Sequence, residues 1–184
     1  MTTGARYTLV PDCVDALVAM FTAAALTAAV GLPPNANGDP AVVEILDGEP
    51  ITDLPDNYVA VGYSAAFAAT AFAGTTGVSV EGSRIHMDIG NRQFGEQFTI
   101  DCEASTFTGD SDPRALSRQR RYTRGVINAM WQTIEADPTL GGVVNAQAYA
   151  AVTAFRWLTD RSDNGVSATV SFGVSVLGDL MVPQ

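Results

Sequence analysis

The chain contains no lysine, a single histidine and two cysteines in 184 residues, and only 16% of its residues are charged. Each shortage excludes something. Every positive charge is an arginine and the net charge is −10, so the basic footprint that non-specific nucleic-acid binding uses to release counterions is missing. His86 alone would have to serve any Ser-His-Asp or Cys-His arrangement, and its neighbours Arg84 and Asp88 suit a surface strand better than a base's surroundings. Cys13 and Cys102 lie far apart with no CxxC spacing, which argues against a disulfide framework and for a reducing cytoplasm as the place of synthesis. The glycines form neither a P-loop nor a dinucleotide fingerprint. Asp110 with Asp112, and Asp47 with Glu49, fall in turns where such residues cap backbone rather than hold a metal. No catalytic residue, cofactor site or metal site is expected, and the chain reads as a non-enzyme.

What is present is a clean binary pattern. Phe98, Ile100, Cys102 and Ala104 alternate with Gln97, Thr99, Asp101, Glu103 and Ser105. Val166, Ala168, Val170, Phe172, Val174 and Val176 alternate with Ser167, Thr169, Ser171, Gly173 and Ser175. Period-two alternation predicts strands with one buried and one wet face. Shorter strands are expected at 41–46, 57–63 and 78–89, the last bulged or turned at Glu81-Gly82-Ser83, and a further strand at 145–158. Asp163-Asn164-Gly165 predicts a hairpin closed by a type I′ turn.

Two helices complete the pattern. One starts at Pro11-Asp12 and carries Val14, Leu17, Val18, Phe21, Ala25 and Leu26 at helical spacing. Its apolar run, 16–30, reads as a buried helix. For a leader the flank is wrong, since it carries Pro11, Asp12 and Asp15 with Arg6 as the only early cation, and for a membrane span the run is short and alanine-rich. The second starts from Gly109-Asp110-Ser111-Asp112-Pro113 and ends at Asp137-Pro138. At 100° per residue its Ala115, Leu116, Tyr122, Val126, Ile127, Met130 and Ile134 form an apolar sector. Arg114, Arg118 and Arg121 gather opposite, with Arg120 and Arg124 beside them. The element string α-β-β-β-β-α-β-β predicts one α+β domain over 1–184: an antiparallel or mixed sheet, two main helices packed on one face, and an extended N-terminal arm over 1–10.

Two stretches are candidate interfaces. Five of the ten arginines lie between Arg114 and Arg124, either a solvated helix face or a contact with an acidic patch on an adjacent copy. The apolar segment 64–77 carries Phe67 and Phe72, which either pack into the core or insert into a neighbour. The low charge density fits a surface partly covered by copies or partners, or simply a chain rich in alanine and glycine.

The C-terminal half runs from a polar-faced strand into G-D-x-D-P-R, an arginine-bearing helix, A-D-P-T-L-G-G and a strand hairpin. The N-terminal half carries V-P-D-C-V-D-A-L, V-V-E-I-L-D-G-E-P-I-T-D and Y-V-A-V-G-Y. Together they resemble the tail terminator proteins of long-tailed bacteriophages, especially those infecting actinobacteria. Segment 64–77 departs from that pattern, in which a shorter polar loop is expected. The resemblance implies a virion structural protein, usually a homohexameric ring, at the head-proximal end of the tail tube. There it would stop tube polymerisation, contact the major tail tube protein and join a neck or head-completion protein. It implies no membrane contact and no sequence-specific nucleic-acid recognition, though DNA would pass through the ring. Another head–tail connector or minor tail protein, or a small cytoplasmic ligand-binding domain using the sheet's second face, stays open as an alternative.

Overall fold

A computed structural model of the chain describes residues 8–35, 37–49, 54–63, 80–88, 93–110, 112–144 and 149–180. Its elements follow the expected order: α1 (Val10–Ala28), β1 (Glu44–Asp47), β2 (Asn57–Val61), β3 (Val80–Asp88), β4 (Gln93–Thr108), α2 (Ala115–Ala136), β5 (Tyr149–Ser162) and β6 (Gly165–Leu180). The six strands form one mixed sheet in the order β1-β2-β4-β6-β5, with β3 also paired to β4. Only the β1–β2 pairing is parallel among the described residues. β2 takes the Cys102–Thr106 stretch of β4 and β3 takes the Gln93–Ile100 stretch, so the two follow one another along the same side. β6 lines the other side for almost the whole length of β4.

Alternation builds the core in rows across this sheet. Val61, Cys102, Phe172 and Phe155 stand opposite one another, as do Val59, Ala104, Val170 and Trp157. Below them run Ile100–Val174–Val152 and Phe98–Val176–Ala150. Both helices lie on this face, where Phe172 meets the Phe21 ring of α1 at 6.4 Å and the Trp131 ring of α2 at 6.2 Å. Burial pushes the Cys102 thiol up to about 12, so it is a neutral core group at any physiological pH.

The helix starts differ from the expected caps. α1 begins at Val10 with no side-chain cap of its own. The buried Glu96 of β4 instead receives the Leu9 N–H at 2.7 Å and the Thr8 hydroxyl at 3.1 Å, satisfying orphan donors from across the fold. Starting there makes α1 19 residues long, enough by length and composition alone to cross a bilayer, yet Cys13, Val14, Leu17, Phe21 and Ala28 are buried in the core. Leu26 is a correction: it is 84% exposed, because 100° per residue carries it nearly opposite that buried stripe. At α2, Asp112 accepts the Arg114 N–H at 2.8 Å, and the regular helix starts at Ala115.

Three further expectations are corrected. The register irregularity in β3 falls between His86 and Asp88, not at Glu81–Ser83. The β5–β6 turn is not type I′, since neither Asp163 nor Asn164 has positive φ; Gly165 carries it instead, at +145°. The sheet's second face is not simply wet. Glu103, Ser105 and Ser171 are buried there, with the Tyr58 hydroxyl donating to one Glu103 oxygen at 3.0 Å and Ser171 to the other at 3.3 Å. Such groups can leave water because their hydrogen bonds are met by neighbouring strands. Burial, then the Glu103 charge, raises the Tyr58 pKa, so this phenol stays protonated.

Candidate interface site

α2 is stopped and started by its own flanks. Its start is held by Asp110, whose side chain accepts the Asp112 N–H at 2.9 Å, and by Asp112 in turn. Both carboxylates bind the Arg118 guanidinium, Asp112 at 2.8 Å. The Arg114 N–H first, then Arg118, holds the Asp112 carboxyl below the usual aspartate range. At the far end, Asp137 accepts the Gly141 N–H at 2.9 Å and bonds the Thr139 side chain. Leu140 there sits at φ +52°, which costs a leucine about 1–2 kcal/mol, while burying it completely returns about 1.5–3.

The buried stripe of α2 includes two polar residues that the apolar reading passed over, Gln119 and Thr123. With Thr106 of β4 they form a buried knot. Thr106 donates to the Gln119 side-chain oxygen at 2.7 Å and lies 2.7 Å from the Thr123 hydroxyl, which reaches the Ala168 carbonyl at 3.0 Å. Leu116 and Tyr122, expected in the apolar sector, are only partly buried.

The five arginines do not act as one group. Arg118 is committed to Asp110 and Asp112. Arg114, Arg120, Arg121 and Arg124 are exposed, and among the described residues none of the four makes an ion pair; Arg121 lies over the Tyr122 ring at 5.6 Å. Arg118, Arg120, Arg121 and Arg124 line an open groove of about 440 Å³ with Ser117 and with Trp157 of β5. The sequence places Trp157 on one side of its strand with Tyr149 and Phe155. The structure keeps Phe155 and Trp157 together on the helix side, while the register shift between Val152 and Ala154 leaves Tyr149 on the other face. The meeting of Trp157 with the arginines was not foreseen. Its signal is the alternation of Phe155 and Trp157 in a strand whose neighbours are charged. Phe67 and Phe72 lie outside the described residues.

β5 is the outermost strand, and no described strand pairs with its outer edge. Two core rows run out into it, so Phe155 is 60% and Trp157 39% exposed on the helix side; Leu158 and Tyr149 are exposed as well. On the other flank of α2 a larger open groove, about 600 Å³, runs between the α1–β1 connection, the start of β2 and the end of β4. It is lined by four prolines (Pro33, Pro34, Pro40 and Pro55), by Val42, and by the carboxylates Glu44, Asp56 and Asp110, with no cation. No protein-family model matches the chain, and no curated protein matches it in sequence. Function has to be read from these surfaces. Among the described residues no three His, Cys, Asp or Glu side chains come together as metal ligands, and His86 stands on β3 opposite Phe94 in register.

Proposed function

We propose that this protein is a virion structural protein of the tail-terminator kind, a ring of identical copies on the head-proximal end of a long-tailed bacteriophage's tail tube. In this reading the ring is hexameric. It ends polymerisation of the major tail tube protein below and receives a neck or head-completion protein above. DNA passes through its lumen without being read in sequence, no membrane takes part, and assembly happens in the host cytoplasm before the protein resides in the virion. The work is done by presenting surfaces, with no covalent step.

The observation that carries this reading is the unfinished edge of the sheet. Phe155 and Trp157 stay exposed on the helix side of a 14-residue outer strand, beside α2 arginines that make no ion pair among the described residues, and Leu158 stays exposed on its other face. An open strand edge with large apolar side chains is a liability in a solitary soluble protein and an asset in one that is covered by its own copies. Light scattering of the purified protein, alone and with tail tube protein, should give a ring-sized mass. Particles made without the protein should carry over-long tails or tails not joined to heads. A monomer under both conditions, or normal joined tails in its absence, would overturn the reading.

A further inference from the structure

We infer that copies of this chain join head to tail, the arginine flank of α2 with the β5 edge of one copy seating in the acidic, proline-lined groove of the next. The inference rests on the self-assembly part of the proposal above and not on where the ring sits. It starts from the division of the exposed large apolar residues. One set stands on β5, Phe155 and Trp157 on the helix side with Tyr149 and Leu158 on the other. Another, Leu26, Val30, Val42 and Leu54, stands around the end of α1 and the approaches to β1 and β2, with Phe107 of β4 lining the acidic groove there. These are the two ends of the sheet order, so the chain carries two separate apolar patches instead of one.

Their charges are opposite. The groove beside β5 is lined by four arginines and no carboxylate, the groove beside β1 and β2 by three carboxylates and no base. Arg118 and Asp110 already satisfy each other within one copy. That leaves Arg120, Arg121 and Arg124 against Glu44 and Asp56, none of which has an ion-pair partner among the described residues. Placing like flanks together would put arginine against arginine, which costs several kcal/mol, so a two-fold dimer through either flank is disfavoured. Joining unlike flanks is heterologous association, which closes into a ring or continues as a filament. The chemistry of the contact also fits. Trp157 and arginine are the side chains that most often dominate a protein interface, and the prolines opposite lose little freedom when covered. A phosphate-bearing ligand could use the same arginines, but it would leave the acidic groove and both apolar patches without a role.

The test uses two charge-reversed chains, Arg120→Glu/Arg124→Glu and Glu44→Arg/Asp56→Arg. All four positions are exposed, so each chain should keep the wild-type circular dichroism spectrum and melting temperature. Alone, each should need on the order of 100-fold more protein than wild type to assemble. Mixed in equal amounts they should recover an assembly of wild-type mass, because the reversed flanks again face opposite charges. Either chain assembling like wild type, or the mixture staying monomeric, overturns the surface assignment and leaves the ring proposal standing. Wild-type protein that is monomeric with and without tail tube protein overturns both. Unchanged assembly with lost binding of a short labelled DNA duplex in Arg120→Glu/Arg124→Glu would overturn the assignment in favour of a phosphate ligand.

Discussion

Replacing Thr106 by valine should cost more than the size of the change suggests. The side chain keeps its branch and its fit to a strand, so packing and backbone preference hardly alter. What goes is one hydroxyl, fully buried, that donates to the Gln119 side-chain oxygen at 2.7 Å and meets Thr123 at 2.7 Å. Thr123 still has the Ala168 carbonyl to donate to, so its loss is small. Gln119, only 2% exposed, is left with an acceptor facing nothing. A neutral hydrogen bond contributes about 1 kcal/mol net, but a buried group stripped of its partner costs about 1–3 kcal/mol. The second effect decides the outcome: Thr106→Val should lose about 1–3 kcal/mol. Adding Gln119→Leu removes the orphaned acceptor, so the double variant should lose less than the sum of the singles by about 1 kcal/mol. Urea unfolding followed by circular dichroism measures all four chains, in the Arg120→Glu/Arg124→Glu background so that subunit contacts do not enter. A Thr106→Val loss below about 0.5 kcal/mol, or additivity within that margin, would refute the buried knot.

Two further outcomes follow from single residues. Asp112 has its pKa lowered in the folded chain, by the Arg114 N–H first and then Arg118, so the unfolded chain binds that proton more readily. Its contribution is therefore present above the ordinary aspartate value of about 4 and disappears as the pH falls through the lower folded value. Asp137, lowered by the Thr139 hydroxyl and then the Gly141 N–H, acts in the same window. Melting temperatures taken from pH 6 downward should show an acid limb that is shallower in Asp112→Asn; an identical limb would contradict the capping role. Gly165→Ala should lose about 3 kcal/mol in urea unfolding, because φ is +145° and a Cβ would run into the Thr108 carbonyl oxygen. A loss under about 1 kcal/mol would mean the turn relaxes freely.

Much of this fold was readable before any coordinates, and the reasons are local. The α-β-β-β-β-α-β-β order follows from runs whose period is unmistakable, such as Phe98 to Ala104 and Val166 to Val176. What could not be read depends on partners distant in the chain. Glu96 looks like a solvent residue until Leu9 and Thr8 arrive from the other end to bind it. Gln119 and Thr123 look polar and exposed until Thr106 and Ala168 supply their hydrogen bonds. The Asn-Gly pair suggested a type I′ turn, but strain was placed on Gly165 alone. At the candidate site the arginine crowding was legible from helical spacing. Its division was not, because that depends on Asp110 and Asp112 taking Arg118 and on Trp157 arriving from a different strand. The acidic groove was invisible in the chain, assembled as it is from four separated stretches.

Strand order also governs when the molecule becomes whole. Among the described strands β5 is attached to the sheet only through β6, and β6 is also the strand that closes the core rows against β4. As the chain leaves the ribosome, α1 through α2 emerge with Phe21 and Trp131 still waiting for Phe172. β5 then follows with α2 to pack against but without its ladder partner. Insertion of β6 between β4 and β5 completes the interior and mounts the exposed outer strand in the same event. Pairings this remote in sequence form late and slowly. A chain that stops before β6, through a nonsense codon or a protease, therefore has neither a finished core nor an edge to offer. Topology thus makes the exposed β5 edge a property of the completed fold alone.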